Sequence, residues 1–337
     1  MEFKVIPFEQ KYILGQHIGK GHYATVKMCT NIETNIDYAA KFIKKKRIAM
    51  SRIGTKTDDI VREARILSKL SHPNIIQIYE AFDRKDMSVL ILELVTGGEL
   101  FEYISNKVTL SEEEASKFMR QILLGVHHMH SKNILHLDLK PENILVEDPD
   151  TQKIKIIDFG FSKEINDAPI LELQGTPEFV APEVINYDPL TFATDMWSIG
   201  IIAYIMLTGN SPFYHETQSE VFNRITRCQL DLNDSTCSMM SDLAKSFLSS
   251  LIVKTPSKRL SCEDCLKHLW IQPEKKIERK RNSFISQDKL NKLRNYVVSP
   301  SRPTSMICPN DLPQNLSRLS LPVPSFNLEE IESDDLF

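Results

Sequence analysis

The sequence predicts an α+β fold in two lobes, a smaller mainly-β lobe followed by a larger mainly-α one, and three observations carry that prediction. From Tyr12 to Ile43, β-branched and polar residues alternate between glycine breaks, which is the period of strands. Beyond Gly97-Gly98 the period becomes helical. The most apolar stretch, Trp197 to Thr208, is too short to span a bilayer and has the length of a helix buried in a large core.

Each element follows in order. Three antiparallel strands are expected at about 12–19, 24–31 and 37–43. A helix follows Thr57 and Asp58, because Ile60, Ala64, Leu67 and Leu70 recur on one face. Two more strands are expected near 76–80 and 88–93. Ser111 and Glu114 form a capping box ahead of Phe118, Ile122, Val126 and Met129, which opens the helical lobe. After Trp270 the chain turns basic, then Pro/Ser-rich from Ser299, and it ends acidic over Glu329 to Phe337. The expected organisation is an N-terminal extension (1–11), an N-lobe (12–95), a C-lobe (96–271), a basic regulatory segment (272–298) and a disordered tail (299–337).

Composition narrows the function classes. With 337 residues, 42% hydrophobic and 26% charged, the chain can bury one large core or two packed lobes. The net charge of -4 provides no bulk field for nucleic acid or an anionic membrane, so no nucleic-acid partner is expected and any basic function must come from local clusters. No charged n-region plus apolar h-region opens the chain, and no membrane span is expected. Of the six cysteines only Cys262 and Cys265 form a C-x-x-C. It lacks a second pair at zinc spacing, so reduced thiols are expected in a cytoplasmic or nuclear protein.

The chemistry lies in three constellations. Gly19-Lys20-Gly21-His22-Tyr23-Ala24-Thr25-Val26 falls between two strands, where mobile backbone can close over phosphates; an ordinary hairpin turn would look the same. Ala24 stands where a G-x-G-x-x-G string has its third glycine, and its small side chain still allows close approach. Lys41 on the third strand can pair with the α- and β-phosphates of a nucleotide if a carboxylate on the next helix, Glu63, holds it; alone it would be a solvated edge charge. His136-Leu137-Asp138-Leu139-Lys140-Pro141-Glu142-Asn143 is followed by Asp158-Phe159-Gly160. In that set Asp138 can orient a hydroxyl and accept its proton, Lys140 can steady a phosphoryl group, and Asn143 and Asp158 can ligate Mg²⁺ through hard oxygens. Such a metal offsets the charge crowded on phosphoryl oxygens where it develops.

Over about residues 12–271 these strings in this order resemble the eukaryotic protein kinases, with Gly175-Thr176-Pro177, Ala181-Pro182-Glu183 and Asp195-Met196-Trp197-Ser198-Ile199-Gly200 as further markers. The resemblance implies the bilobal kinase fold and transfer of the γ-phosphate of ATP, with Mg²⁺, to Ser or Thr. It also implies a buried pair between Glu183 and Arg259. Ala39-Ala40-Lys41-Phe42-Ile43-Lys44-Lys45, Leu90-Ile91-Leu92-Glu93-Leu94-Val95, Gly97-Gly98-Glu99-Leu100-Phe101 and Gly175 to Glu183 most resemble the death-associated protein kinase family of the calmodulin-dependent kinase group. Its short members are the nearest in kind, and apoptosis-linked or cytoskeletal signalling is what that implies.

By resemblance, Ile18 to Val26, Lys41 and Glu63 would serve ATP, Leu92 would guard the back of the pocket, and Glu93 and Val95 would offer backbone groups to adenine. Glu99 would accept from ribose and from a substrate arginine, implying substrates with basic recognition sites; it also reads as a charge at a helix start. The basic stretch within 44–56 is either a protein-contact loop, with a homodimer as one outcome, or a solvated loop. Leu137 replaces the arginine that many kinases use to receive an activation-loop phosphate, so activity is expected without phosphorylation between Phe161 and Gln174.

Residues 275–298 carry Lys275-Lys276, Arg279-Lys280-Arg281, Ser283 and a helix with Leu290, Leu293 and Val297, in which Phe284 and Val297 have the spacing of two anchors. In relatives a segment here is an autoinhibitor lifted by Ca²⁺–calmodulin and carries an autophosphorylated serine matching Ser283. A nuclear-import signal at 275–281 and a solvated linker are the other readings. A pseudokinase-like scaffold would have lost Lys41, Asp138 or Asp158, and all three are present. A P-loop phosphotransferase would show G-x-x-x-x-G-K-[ST], and that string is absent from the sequence.

Overall fold

The computed structural model describes residues 1–21, 24–46, 54–107, 110–272 and 284–298. Strands β1 (Phe3–Lys4), β2 (Tyr12–Lys20), β3 (Ala24–Asn31) and β4 (Asp37–Lys44) precede helix α1 (Thr57–Ser68). Strands β5 (Ile78–Asp83) and β6 (Met87–Leu92) complete a six-stranded sheet in the order β1-β5-β6-β4-β3-β2. The expected meander is present to within a residue. The strand expected at 76–80 begins later, because Ile75 bridges to Ile156 and the Ile76 N–H is committed to the Ile156 carbonyl at 3.0 Å, across to the other lobe.

Helix α1 forms where the apolar stripe recurs. Ile60, Ala64 and Leu67 are buried, Asp58 and Asp59 lie in its first turn, and Arg65 lies in its last, as the helix dipole favours. The N-terminal eleven residues also pack: β1 pairs in parallel with β5, and Phe8 is fully buried. Phe8 stacks on Tyr12 at 5.3 Å and meets Phe42 and Phe82 edge-on, seeding a second small core with Cys29, Val89 and Ile91.

The second lobe opens with α2 (Leu100–Ser105) and β7 (Leu110–Ser111), then α3 (Glu112–Ser131). The capping box is as expected: Glu114 N–H donates to Ser111 Oγ at 3.1 Å and Ser111 N–H to Glu114 Oε2 at 2.9 Å. Short strands β8 (Ile134–Leu135), β9 (Ile144–Asp148), β10 (Lys153–Ile156) and β11 (Lys163–Glu164) carry the site loops; β9 pairs with β10 and β8 with β11. Helices α4 (Pro182–Ile185), α5 (Phe192–Thr208), α6 (Gln218–Arg227), α7 (Asp242–Leu251) and α8 (Cys262–Lys267) follow. Helix α5 is apolar all round and buried from Thr194 onward, the pattern of a central core helix. Among the described residues no helix is long and apolar enough to cross a membrane. Cys262 and Cys265 open α8 as buried free thiols, which desolvation makes inert.

Strand β12 (Phe284–Ile285) pairs antiparallel with β7, and α9 (Gln287–Val298) lies on α2 and α5. This corrects the expectation of Phe284 and Val297 as anchors on one helix. The Ser286 carbonyl receives the N–H groups of Lys289 and Leu290, so the helix starts only after Ser286, and Phe284 sits in a strand. Gly209, at φ 76, makes the seat for α9; a Cβ there would collide with the Lys289 carbonyl oxygen. Lys275 to Arg281, Ser283 and the tail from Ser299 lie outside the described residues.

Candidate active site

The site forms where the sheet meets the loops of the helical lobe. Antiparallel register places Lys41 on β4 between Val26 of β3 and Leu90 of β6. From there its Nζ reaches Glu63 Oε1 on α1 at 2.7 Å and Asp158 Oδ1 at 2.8 Å. Burial pulls the lysine down, but the Asp158 and Glu63 carboxylates outweigh it and hold the ammonium above its ordinary range. The Lys41 cation lowers the Asp158 carboxyl to about 2, while burial raises Glu63 against the pull of Lys41. Asp158 is the most open of the three, its side chain 44% exposed, so it faces the cleft as a committed anion.

A second cluster lies beside it. Asp138 Oδ2 meets Lys140 Nζ at 2.9 Å and Asp138 Oδ1 accepts from the Thr176 hydroxyl at 2.9 Å, which itself accepts from Lys140 at 2.9 Å. Asn143 Nδ2 donates to the Asp138 carbonyl at 2.8 Å and to its Oδ2 at 3.1 Å. Burial raises the Asp138 carboxyl, with Lys140 opposing. Asp138 and Asn143 are each 4% exposed, so their orientation is fixed by packing and bonding together.

Backbone strain marks both loops. Leu137 (φ 66) and Asp158 (φ 61) are left-handed without being glycine, a cost that persists only where the surroundings over-determine it. Asp195 supplies part of that constraint: its carboxylate accepts from the N–H groups of His136 and Leu137 at 3.0 and 2.9 Å and meets His130 Nε2 at 2.9 Å. His136 in turn meets the Ile157 carbonyl at 3.1 Å and lies 5.0 Å from the ring of buried Phe159. Thus the Asp195 of the buried helix ties the Asp138 loop to the Asp158 loop.

The other predicted residues divide as follows. Ile18 to Lys20 end β2 and Ala24 to Val26 begin β3, with Gly21 N–H on the Ala24 carbonyl at 2.8 Å; His22 and Tyr23 lie outside the described residues. Glu93 and Val95 follow β6. The Glu93 N–H is taken by the Gln77 carbonyl at 2.9 Å, so its own carbonyl is the group it can offer. Glu99 precedes α2 without making a side-chain cap. Ser283 and most of the basic loop, 47–53, lie outside the described residues. Glu183 and Arg259 form the implied bidentate pair at 2.6 and 2.7 Å.

Some partners had no sequence signal. Lys155 on β10 reaches Glu93 Oε1 at 2.8 Å and fixes the segment joining the lobes, a contact that only tertiary structure creates. Thr176 reads as part of a loop marker, yet it joins Asp138 and Lys140. The segment Phe161 to Gln174 contains a single hydroxyl, Ser162, fully buried and donating to the His136 carbonyl at 3.3 Å.

Residues 12–271 match the protein kinase domain family. The chain is 47% identical over 274 residues to death-associated protein kinase 2 of Mus musculus, covering 80% of this chain and 74% of that protein. It is 45% identical over 264 residues to myosin light chain kinase 3 of Rattus norvegicus, covering 77% of this chain and 33% of that one. A solved twitchin kinase fragment from C. elegans, described as an autoregulated protein kinase, superposes with a TM-score of 0.79 at 32% identity over 88% of this chain and 65% of that chain. The family uses ATP and Mg²⁺, and the donor set here fits both. No cluster of three or more His, Cys, Asp or Glu among the described residues could hold a metal alone, whereas oxygens of Asp158 and Asn143 suit an ion that shares its coordination with phosphates and water. With its cleft built in this way and its sequence so matched, the chain is a Ser/Thr protein kinase that belongs to the protein kinase domain family and, within it, to the death-associated protein kinases of the calmodulin-dependent kinase group.

Proposed function

We propose that this kinase transfers the ATP γ-phosphate to Ser or Thr in basic sequence contexts and that its C-terminal segment regulates it. The observation that carries the catalytic part is the adjacency of two clusters, Lys41–Glu63–Asp158 and Asp138–Lys140–Thr176–Asn143, close enough for Asp158 to act on both Asp138 and Lys140. Asp138 orients the substrate hydroxyl and receives its proton; its raised carboxyl makes it a better base than an exposed aspartate. Lys140, already bridging Asp138 and Thr176, steadies the group in transfer, and Lys41 holds the α- and β-phosphates. Asn143 and Asp158 would hold Mg²⁺, which would offset the charge on the phosphoryl oxygens. Backbone of Ile18 to Gly21 and of Ala24 to Val26 meets the phosphates, and Glu93 and Val95 meet adenine.

Glu99 at the start of α2 accepts from a basic substrate side chain. Regulation rests on the seat of α9. Lys289, Leu290 and Leu293 are buried there, Arg294 donates to the Ser105 carbonyl, and the Tyr296 hydroxyl donates to Glu178 Oε2 at 3.0 Å, two residues beyond Thr176. Calmodulin would have to lift α9 to reach its apolar face, which gives Ca²⁺ a means of exposing Glu178. The stretch within 44–56 is offered as a protein-contact loop, and 275–281 as the determinant of nuclear or cytoplasmic location.

The test compares the full chain with one truncated after Gln272, each with and without Ca²⁺–calmodulin, on an Arg-rich Ser peptide. Stimulation by truncation or calmodulin supports the gated kinase. Equal rates in all four arms refute regulation by the segment, and no transfer in any arm leaves a nucleotide-binding scaffold.

A further inference from the structure

Phe161 to Gln174 holds no accessible phosphoacceptor, since Ser162 is fully buried, and residue 137 is a leucine that could not receive a phosphate. Something else must hold the loop that carries Asp158. Helix α1 provides it. Arg62 Nε donates to the Ser162 carbonyl at 3.1 Å and its Nη2 to the Gly160 carbonyl at 3.2 Å, while its Nη1 is held by Asp59 one turn earlier. The next residue, Glu63, grips Lys41 and through it Asp158.

We infer that Arg62 is a positioning residue: its planar fork fixes the carbonyls on the C-terminal side of Asp158 to α1, doing without phosphate what a phosphate–arginine pair does in other kinases. This deepens the kinase function proposed above and rests on it for its catalytic consequence. Two neighbours add to the tether, Arg65 on the same face of α1 and Lys69 just past its end, which meet Glu164 of β11 at 3.2 and 2.7 Å. Their side chains are 56% and 45% exposed, and exposed ion pairs contribute little. Arg62, at 20%, makes charge-assisted bonds to two backbone carbonyls, which are stronger and hold geometry. The clamp therefore resides in Arg62. A lysine in its place carries the charge without the fork and can satisfy only one of the two carbonyls well.

The test uses the full chain with Arg62→Ala, Arg62→Lys and the double change Arg65→Ala, Lys69→Ala. Hydrogen exchange at 159–165 without nucleotide is the first readout; kcat, peptide KM and the Mg²⁺ concentration giving half-maximal rate are the others. Arg62→Ala is expected to lose protection at 159–165, lower kcat by about tenfold and raise the Mg²⁺ requirement severalfold, with peptide KM within about twofold. Arg62→Lys should fall between, and the double change should stay within about twofold of wild type. Wild-type protection, kcat and Mg²⁺ dependence in Arg62→Ala would overturn the inference. Should that variant fail to fold, Arg62→Lys decides, and its indistinguishability from wild type is the refuting result. Absence of transfer by the wild-type chain would sink the kinase function instead, while the exchange readout would still settle what Arg62 holds.

Discussion

Removing Arg259 should unfold this kinase more readily than any change at its surface. Its guanidinium side chain is 0% exposed and Glu183 opposite is 2% exposed. All five of its N–H donors are matched by bonds: two to Glu183, and one each to the carbonyls of Ala193 (2.8 Å), Val253 (2.7 Å) and Lys254 (3.2 Å). The Trp197 ring lies 5.0 Å from its Cζ. Arg259→Ala leaves Glu183 charged and buried with no counter-ion, and breaking such a pair costs about 3–5 kcal/mol. Against a total stability of roughly 5–15 kcal/mol that is a large share. At ~2–4 °C per kcal/mol for a domain of this size, the melting temperature should fall by about 10 °C. Urea unfolding of wild type, Arg259→Ala, Glu183→Ala and the double variant closes a cycle. The double variant should lose less than the sum of the two singles, because it buries no lone charge. A cost below about 1 kcal/mol for Arg259→Ala, or strict additivity, would refute the reasoning.

Further outcomes are expected at three residues. Asp138→Asn should keep the fold and lose at least about 10²-fold in kcat. Because burial raises the Asp138 carboxyl, the acid limb of kcat against pH should lie above 3.8, with activity lost as pH falls through it; a limb at or below 3.8 would contradict its role as base. Glu114, held down to about 2 despite burial by Lys107 and the Ser111 N–H, contributes stability that is present above 4.5 and lost as pH falls toward 2. Urea midpoints for Glu114→Gln between those values should be flatter with pH than those of wild type. Gly209→Ala should undock α9, since its Cβ would meet the Lys289 carbonyl; faster proteolysis within 284–298 reads this out, and unchanged protection counts against the seat described.

Local pattern made much of the fold legible. Alternation of β-branched and polar residues between glycine breaks located β2, β3 and β4, although β2 is exposed along most of its length, and the stripe Ile60, Ala64, Leu67 located α1 because its face has a 3.6 period. The capping box at Ser111 was readable because its two bonds span only three residues. What stayed hidden depends on partners distant in sequence. Nothing in Phe3 or Phe8 announces that β1 joins the sheet beside β5 or that Phe8 centres a core. Phe284 fits a helical spacing, yet it pairs with Ser111, 173 positions earlier. In the site, Lys41, Glu63, Asp138 and Asp158 could be picked out by order and spacing, whereas Lys155, Thr176 and Arg62 could not. Those three act through contacts with Glu93, Asp138 and the carbonyls of Gly160 and Ser162, and a backbone carbonyl leaves no trace in sequence.

The most direct test is transfer of ³²P from ATP·Mg to a Ser peptide with arginine before the target, by the chain truncated after Gln272, beside Lys41→Met and Asp138→Asn in the same background. Label on serine with the unaltered residues, and its loss in both variants while both remain folded, is the result predicted. No label from a folded parent, or full label from Asp138→Asn, would contradict it.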